Sequence, residues 1–86
     1  MKLTVIGGGS SYTPELADGI IKNYGTFPVT ELALVDIEEG RQKAEIICAL
    51  LERMFKRARL PVNVSVSLDR RRALSGADFV ISQFRA

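Results

Sequence analysis

The chain has 86 residues and a mass of 9.5 kDa, which is enough for one small domain. Hydrophobic residues make up 47% and charged residues 26%, an ordinary globular composition that excludes a disordered tail. The net charge of +2 is too small to indicate a nucleic-acid partner. Histidine is absent and Cys48 is the single cysteine, so His-ligated metal sites, histidine acid–base catalysis and an internal disulfide are excluded within the chain.

The sequence has no pattern typical of a membrane or secreted protein. No apolar run approaches the ~20 residues that span a bilayer, and residues 3–6 are too short for the hydrophobic part of a signal peptide. Basic residues cluster at 56–59 and 70–72 without interleaved aromatic residues, so we interpret them as solvated helix ends. We therefore expect a cytoplasmic protein that binds neither a membrane nor nucleic acid.

Strand and helix patterns alternate along the chain. Four runs rich in apolar or β-branched residues predict strands, at 3–6, 31–36, 62–67 and 77–82. Capping residues and helical spacing predict three helices, at about 13–25, 39–59 and 69–76. Cys48 lies on the apolar stripe of the long helix, so we expect it in the core. The order βαβαβαβ predicts an α/β fold, three-layer and Rossmann-like, with a parallel four-stranded sheet of order 3-2-1-4.

A glycine-rich turn follows the first strand and precedes the first helix, as in a dinucleotide-binding fingerprint; its residues are Gly7, Gly8, Gly9, Ser10 and Ser11. Glycines allow a positive φ and let backbone N–H groups approach a pyrophosphate, while the serines add hydroxyl donors. Tyr12 stands where the fingerprint has its third glycine, so we expect a longer loop that includes this tyrosine. The alternative is a plain strand-to-helix turn without a ligand.

Asp36 closes the second strand, where a carboxylate can accept hydrogen bonds from both ribose hydroxyls of an adenosine. A carboxylate there would repel a 2′-phosphate, so the sequence favours NAD over NADP. The alternative role is capping of the helix that follows.

The fourth strand should lie beside the first, and the crevice of such a sheet opens between their carboxyl ends. Ser82 and Gln83 lead into this crevice, so we expect them at the cofactor. Arg85 follows and could meet a cofactor or substrate phosphate. The alternative is a solvated arginine near the end of the chain.

These residues together resemble a known family. Residues 6–16, Ile-Gly-Gly-Gly-Ser-Ser-Tyr-Thr-Pro-Glu-Leu, resemble the amino terminus of glycoside hydrolase family 4, and the Ser-Tyr-Thr-Pro-Glu-Leu part is closest to its 6-phospho-β-glucosidase branch. Residues 34–37 and 76–85 are similar to the second and fourth strands of that family. Because its members have several hundred residues, we expect residues 1–86 to be the amino-terminal half of an NAD-binding Rossmann domain, truncated after strand four, with the catalytic remainder absent.

The resemblance implies hydrolysis of 6-phospho-β-glucosides by oxidation at carbon 3, elimination of the aglycone, water addition and re-reduction. It implies NAD as cofactor and a divalent metal, typically manganese, whose ligands lie in later segments and not in this chain. Gly7, Gly9, Ser10 and Ser11 would form the pyrophosphate loop by this resemblance. Asp36 would bind the adenosine ribose, and Arg85 would lie near the substrate phosphate.

Two other interpretations remain open from the residues alone. A stand-alone nucleotide-sensing regulatory module also has a glycine turn and a carboxylate after strand two, but should end in a helix. An S-adenosylmethionine-binding domain would show an acidic residue just before the glycines, where this chain has the apolar Ile6.

The fourth strand also suggests self-association. Phe79, Val80 and Ile81 would form an open apolar edge of the sheet in this chain. Because such edges invite pairing with another chain, we expect a homo-oligomer formed through strand four.

Overall fold

The structure is a computed structural model that describes residues 1–7 and 12–82. Its strands are β1 (Lys2–Ile6), β2 (Glu31–Val35), β3 (Asn63–Ser67) and β4 (Phe79–Ser82). Its helices are α1 (Thr13–Lys22), α2 (Arg41–Arg57) and α3 (Arg70–Leu74), with a 3-10 turn (Glu38–Gly40) before α2. The strands pair in parallel in the order β3-β2-β1-β4, which confirms the predicted sheet.

The helices lie on two faces of this sheet, giving three layers. The chain moves outward from β1 through β2 to β3, and then returns past β1 to form β4. Because parallel crossovers are right-handed, reversing the direction of travel places the connecting helix on the opposite face. Accordingly α1 and α2 pack against each other on one face, and α3 contacts the central strands from the other.

The main core lies between the sheet and the α1–α2 layer. Alternate residues of the central strands point into it, together with one stripe of each helix; its buried members are Leu3, Val5, Ala17, Ile20, Val29, Leu32, Leu34, Ile47, Leu51, Phe55 and Val62. The apolar stripe that the sequence predicts for α2 has six residues, of which Ala44, Ile47, Leu51 and Phe55 are buried and Cys48 and Met54 are half-buried. Cys48 packs at the margin of this core and is half-buried.

The opposite face is smaller and partly polar. Ala33, Val35 and Ala73 form its buried apolar cluster. The fully buried Thr4 hydroxyl donates to the Ala73 carbonyl at 2.7 Å, which ties α3 to β1. This bond satisfies a side-chain hydroxyl that would otherwise be costly to bury.

Helix ends differ from the sequence predictions. Tyr12, not Thr13, occupies the cap position of α1 and makes no capping bond through its side chain, while Thr13 is buried in the first turn. At the other end of the helical layer, α2 ends before Pro61 because Arg59 adopts a left-handed φ of 60°. The Leu60 N–H then donates to the Phe55 carbonyl at 3.0 Å, closing the helix as a Schellman motif.

Long apolar helices are absent from the described ranges. No helix within residues 1–7 and 12–82 has the length and apolar character needed to cross a membrane.

Candidate functional site

The candidate site lies where the parallel strands end. Ile6 of β1 is in register with Val35 of β2 on one side and with Ser82 of β4 on the other. The carboxyl ends of the strands therefore meet at one edge of the sheet, and the residues that follow them come together there. This is the edge at which open parallel sheets bind their ligands.

Gly7 begins the turn after β1 with a φ of 82°, in the left-handed region that favours glycine. Its N–H donates to the Val35 carbonyl at 2.7 Å, which holds the start of the turn against the end of β2. The predicted glycine turn is thus confirmed at its first residue. The remaining members of the predicted phosphate loop, Gly8, Gly9, Ser10 and Ser11, lie outside the described residues.

Asp36 directly follows β2 and is half-buried. Its backbone N–H donates to the Ser67 carbonyl at 3.2 Å, and its Oδ1 accepts from the Ile37 N–H at 2.8 Å. Ile37 and Gly40 occupy the cap positions of the 3-10 turn and of α2, so Asp36 is the cap of neither.

Gly40 makes room for the Asp36 carboxylate. A Cβ added at Gly40 would overlap Oδ1 of Asp36 and lie 2.7 Å from its Cγ, so the carboxylate would have to move. Because the φ of Gly40 is −94°, its backbone conformation does not itself require glycine. Glycine is needed here for the carboxylate, a role that sequence reasoning missed.

A cavity of about 460 Å³ opens beside this carboxylate. Its described lining is Ile6, Gly7, Val35, Asp36, Ile37, Glu38, Leu68 and Arg70. Ile37 is 64% exposed and Leu68 is 42% exposed, so two large apolar side chains face solvent next to a carboxylate. An apolar slot with a few polar groups is the usual form of a small-molecule site.

Ile37, Leu68 and Arg70 were not predicted from the sequence. Their only signal is position, since each comes within a few residues of a strand end. The cavity carries two carboxylates, from Asp36 and Glu38, against one guanidinium, from Arg70. Its lining is therefore net negative, which suits sugar hydroxyls better than an additional phosphate.

The other predicted site residues are not brought to this cavity. Tyr12 lies at the start of α1 with its side chain 66% exposed, and its carbonyl accepts from the Glu15 and Leu16 N–H groups. Ser82 is exposed at the end of β4. Neither lines the cavity beside Asp36. Gln83 and Arg85 lie outside the described residues.

Potential metal ligands do not cluster in residues 1–7 and 12–82, which hold no group of three or more such side chains. The Cys48 Sγ donates to Glu52 Oε1 at 3.5 Å and lies 3.7 Å from the Val64 carbonyl oxygen. Burial, followed by this bond to Glu52, raises the pKa of the Cys48 thiol to about 11, so it does not favour the thiolate that metals require.

The parallel sheet of order 3-2-1-4, with alternating helices on its two faces, defines a Rossmann-like α/β protein. Comparison with known proteins then identifies the family. Residues 2–86 match the model of the family 4 glycosyl hydrolases, and the chain belongs to this family.

Two relatives at 53% and 54% identity are described as 6-phospho-β-glucosidases. The chain is 54% identical over 85 residues to a probable 6-phospho-β-glucosidase of Bacillus subtilis and 53% identical to the 6-phospho-β-glucosidase of Escherichia coli. Each match covers 99% of this chain and 19% of the relative, so the chain spans about a fifth of the length of these proteins.

A solved structure agrees with the sequence comparison. The 6-phospho-β-glucosidase of Thermotoga maritima, solved with manganese, NAD+ and glucose-6-phosphate, superposes with a TM-score of 0.84 at 36% identity. The superposition covers 99% of this chain and 20% of that one. The family resemblance seen in the sequence is thereby confirmed, and these relatives do not support a nucleotide-sensing module or an S-adenosylmethionine-binding domain.

Proposed function

We propose that residues 1–86 form the amino-terminal half of an NAD-binding domain in a 6-phospho-β-glucosidase, with the rest of the catalytic site supplied by other segments. The observation that carries this proposal is the Asp36 carboxylate, seated against Gly40 beside a cavity of about 460 Å³ at the carboxyl edge of the sheet. The NAD-bound relative of the same fold supports it.

The described residues fit the adenosine part of NAD. The Asp36 carboxylate would accept hydrogen bonds from the two ribose hydroxyls. Ile37 and Leu68 are exposed on the walls of the cavity, where apolar side chains suit the faces of an adenine ring. The turn that begins at Gly7 would lead the chain to the pyrophosphate.

The remaining predicted contacts belong to the same proposal. Gly8, Gly9, Ser10 and Ser11 would donate to the pyrophosphate, and Tyr12 would border this loop. Ser82 and Gln83 would line the crevice between β1 and β4, and Arg85 would approach the phosphate of the substrate. These assignments rest on the family resemblance and on the position of each residue after a strand end.

The whole protein would hydrolyse a 6-phospho-β-glucoside by oxidation at carbon 3, elimination of the aglycone, addition of water and re-reduction. NAD, when bound, supplies the hydride acceptor for this route. A divalent metal, which we propose to be manganese, would polarise the substrate oxygen, and we place its ligands outside this chain. Such metabolism of a phosphorylated sugar is consistent with the cytoplasmic location expected from the sequence.

Self-association of the 86-residue chain through strand four is a further proposal. β4 forms one edge of the sheet, with Phe79 49% and Val80 48% exposed. Exposed apolar residues on a sheet edge favour pairing with a second chain.

Calorimetric titration of the full-length protein with NAD and NADP tests the cofactor proposal. NAD should bind more tightly than NADP, because Asp36 and Glu38 oppose a 2′-phosphate. Asp36→Ala should weaken NAD binding by about 1–3 kcal/mol, the usual loss when hydroxyls lose a charged acceptor. Asp18→Ala, which removes an exposed carboxylate paired with Lys22 on α1, is the matched control and should bind as the parent does. Equal affinity of the parent for both cofactors would contradict the role of Asp36.

A further inference from the structure

Three consecutive arginines, Arg70, Arg71 and Arg72, form the first turn of α3. The sequence alone indicates a solvated helix end, but the structure gives the three side chains different surroundings. Arg70 lines the cavity beside Asp36, whereas Arg72 lines a second cavity on the α3 face of the sheet. Arg71 is exposed and lines neither of these two cavities. Of the three arginines, Arg70 is therefore the one placed at the candidate cofactor site.

Arg70 has no carboxylate partner although two carboxylates, from Asp36 and Glu38, line the same cavity. Within the described part of the chain, its guanidinium makes no ion pair. The Glu38 carboxylate lies instead 3.8 Å from the guanidinium of Arg41, which belongs to α2 and is not part of the described cavity lining. Arg70 is thus a cation at a cavity wall that the described residues leave available to a ligand.

Hydrogen bonds hold the segment that carries Arg70 against the end of β2. The Ser67 carbonyl accepts from the Asp36 N–H at 3.2 Å. The Ser67 hydroxyl accepts from the Asp69 N–H at 3.0 Å, and Asp69 Oδ1 accepts from the Arg72 N–H at 3.3 Å. The backbone on both sides of Arg70 is fixed by these bonds, so a ligand held at Asp36 meets a preorganised neighbour.

The order of groups along a dinucleotide places its base on the side of the cavity where Arg70 lies. In the proposed site, the turn at Gly7 leads to the pyrophosphate and the Asp36 carboxylate holds the ribose. The base, on the far side of the ribose, then lies toward Arg70 and the exposed side chains of Ile37 and Leu68. This placement rests on the proposed function, since it requires NAD to occupy the cavity.

The chemistry of a guanidinium suits a base in this position. It is planar and weakly hydrated, and it stacks on aromatic faces, whereas an ammonium does so less well. The carboxylates of Asp36 and Glu38 disfavour a phosphate on the ribose, so stacking is the role left to Arg70. We infer that Arg70 is a specificity-determining residue of the cofactor site, whose guanidinium stacks on the adenine ring and favours the two fused rings of a purine over a smaller base.

Calorimetric titration of the full-length protein with NAD tests this role. Arg70→Ala should raise the NAD dissociation constant about fivefold, because an exposed cation–aromatic contact is lost. Arg71→Ala is the matched control, since it removes the same side chain from the neighbouring exposed position outside the cavity. The control should change the constant by less than about twofold, as is usual for surface substitutions. Equal effects of the two variants would overturn the inference.

Arg70→Lys separates stacking from charge. Lysine keeps the positive charge but lacks the planar guanidinium, so this variant should still bind NAD about threefold more weakly than the parent. The ratio of the dissociation constants of Arg70→Ala and the parent should persist in about 1 M salt, where charges are screened beyond about 3 Å. Full recovery of affinity by lysine, or loss of the ratio at high salt, would mean that Arg70 acts only as a charge and would overturn the inference.

The base of the cofactor supplies a readout that a merely structural role of Arg70 would not move. The parent should prefer NAD to the analogue in which cytosine replaces adenine, and Arg70→Ala should reduce this preference about threefold, because a single ring offers less surface for stacking. Arg70→Ala should weaken NAD and NADP binding by the same factor. An unchanged preference between the bases would contradict the inference, as would a greater loss for NADP, which would assign Arg70 to the 2′-phosphate.

Failure of this inference is distinguishable from failure of the proposed function. If the parent binds NAD and Asp36→Ala weakens binding while Arg70→Ala does not, the role of Arg70 alone is wrong. If the parent does not bind NAD, both are wrong. Because Arg70 is exposed, Arg70→Ala should unfold at the same temperature as the parent, so its binding defect is not a folding defect.

Discussion

Asp36, the proposed ribose-binding residue, and Gly40 form a pair in which the glycine leaves space for the carboxylate. The missing Cβ of Gly40 lies where it would contact the Asp36 carboxylate, while the backbone of Gly40 is in an ordinary conformation. We expect Gly40→Ala to fold but to displace this carboxylate, raising the NAD dissociation constant about tenfold through loss of a charged hydrogen bond. Calorimetric titration measures the NAD affinity of this variant, and thermal unfolding measures its stability, so a binding defect is distinguished from a folding defect.

Gly19→Ala is the control for this prediction. A Cβ at Gly19, in α1, would meet no atom within 4 Å. This variant should bind NAD as the parent does and be more stable by about 1 kcal/mol, the usual gain from alanine in a helix. Unchanged NAD affinity in Gly40→Ala would show that Asp36 does not act from the observed position.

The Cys48 thiol should be unusually resistant to ionisation. Burial, followed by the bond to Glu52, raises its pKa to about 11, whereas a thiol in an unfolded chain titrates near ~8.5. The unfolded state therefore loses this proton first as the pH rises. The protonated Cys48 thiol therefore stabilises the folded state; this contribution to the free energy of unfolding is fully present below about pH 8.5 and is lost as the pH rises through about 11.

Two measurements check the thiol. The rate of alkylation of native protein should rise with a midpoint near pH 11. The free energy of unfolding should fall more steeply between about pH 8.5 and 11 in the parent than in Cys48→Ala. An alkylation midpoint near pH 8.5 would contradict the half-buried, hydrogen-bonded environment of Cys48.

The position of a candidate site residue could be predicted from the sequence where that residue directly follows a strand. Gly7 and Asp36 met this condition, because a glycine turn and a carboxylate are recognisable in sequence order. Gly40, Leu68 and Arg70 did not, since their positions depend on how separate loops approach one another in the folded chain. No local sequence pattern indicates which loops will lie close together in the folded chain.

At the scale of elements, periodicity was sufficient to predict type and order. Continuous apolar runs predicted the central strands, and the spacing of Ala44, Ile47, Leu51 and Phe55 predicted the buried side of α2. Element ends were less predictable. Thr13 has the chemistry of a cap but is buried in the first turn, and α2 ends through the left-handed Arg59, a conformation that sequence alone does not favour for arginine.

The edge strand β4 carries the predicted association of the 86-residue chain. Val80→Lys should weaken that association, because pairing along β4 would bring an uncompensated charge into a desolvated contact. Ser65→Lys is the control, since Ser65 is an exposed residue of the opposite edge strand, β3. Sedimentation that shows the parent chain as a folded monomer at high concentration, or equal effects of both variants, would refute association through β4.

At the scale of the whole molecule, the alternation of strands and helices was enough to predict the sheet order. The substrate side of the site could not be described in the same way. The chain spans about a fifth of the length of its relatives, and the residues expected near the substrate follow β4, outside the described ranges. Family membership connects this fold to the glycosidases, and the described residues carry only the adenosine part of the proposed NAD site.

The measurement that tests the account most directly is the dependence of glycoside hydrolysis on NAD. Ordinary glycosidases need no redox cofactor, because hydrolysis involves no net oxidation. The full-length protein, stripped of nucleotide and supplied with manganese, should not release the chromophore from a 6-phospho-β-glucoside until NAD is added. Asp36→Ala should need about tenfold or more NAD for half of its maximal rate, in line with the loss of one charged hydrogen bond. Hydrolysis at the full rate without NAD would contradict the account.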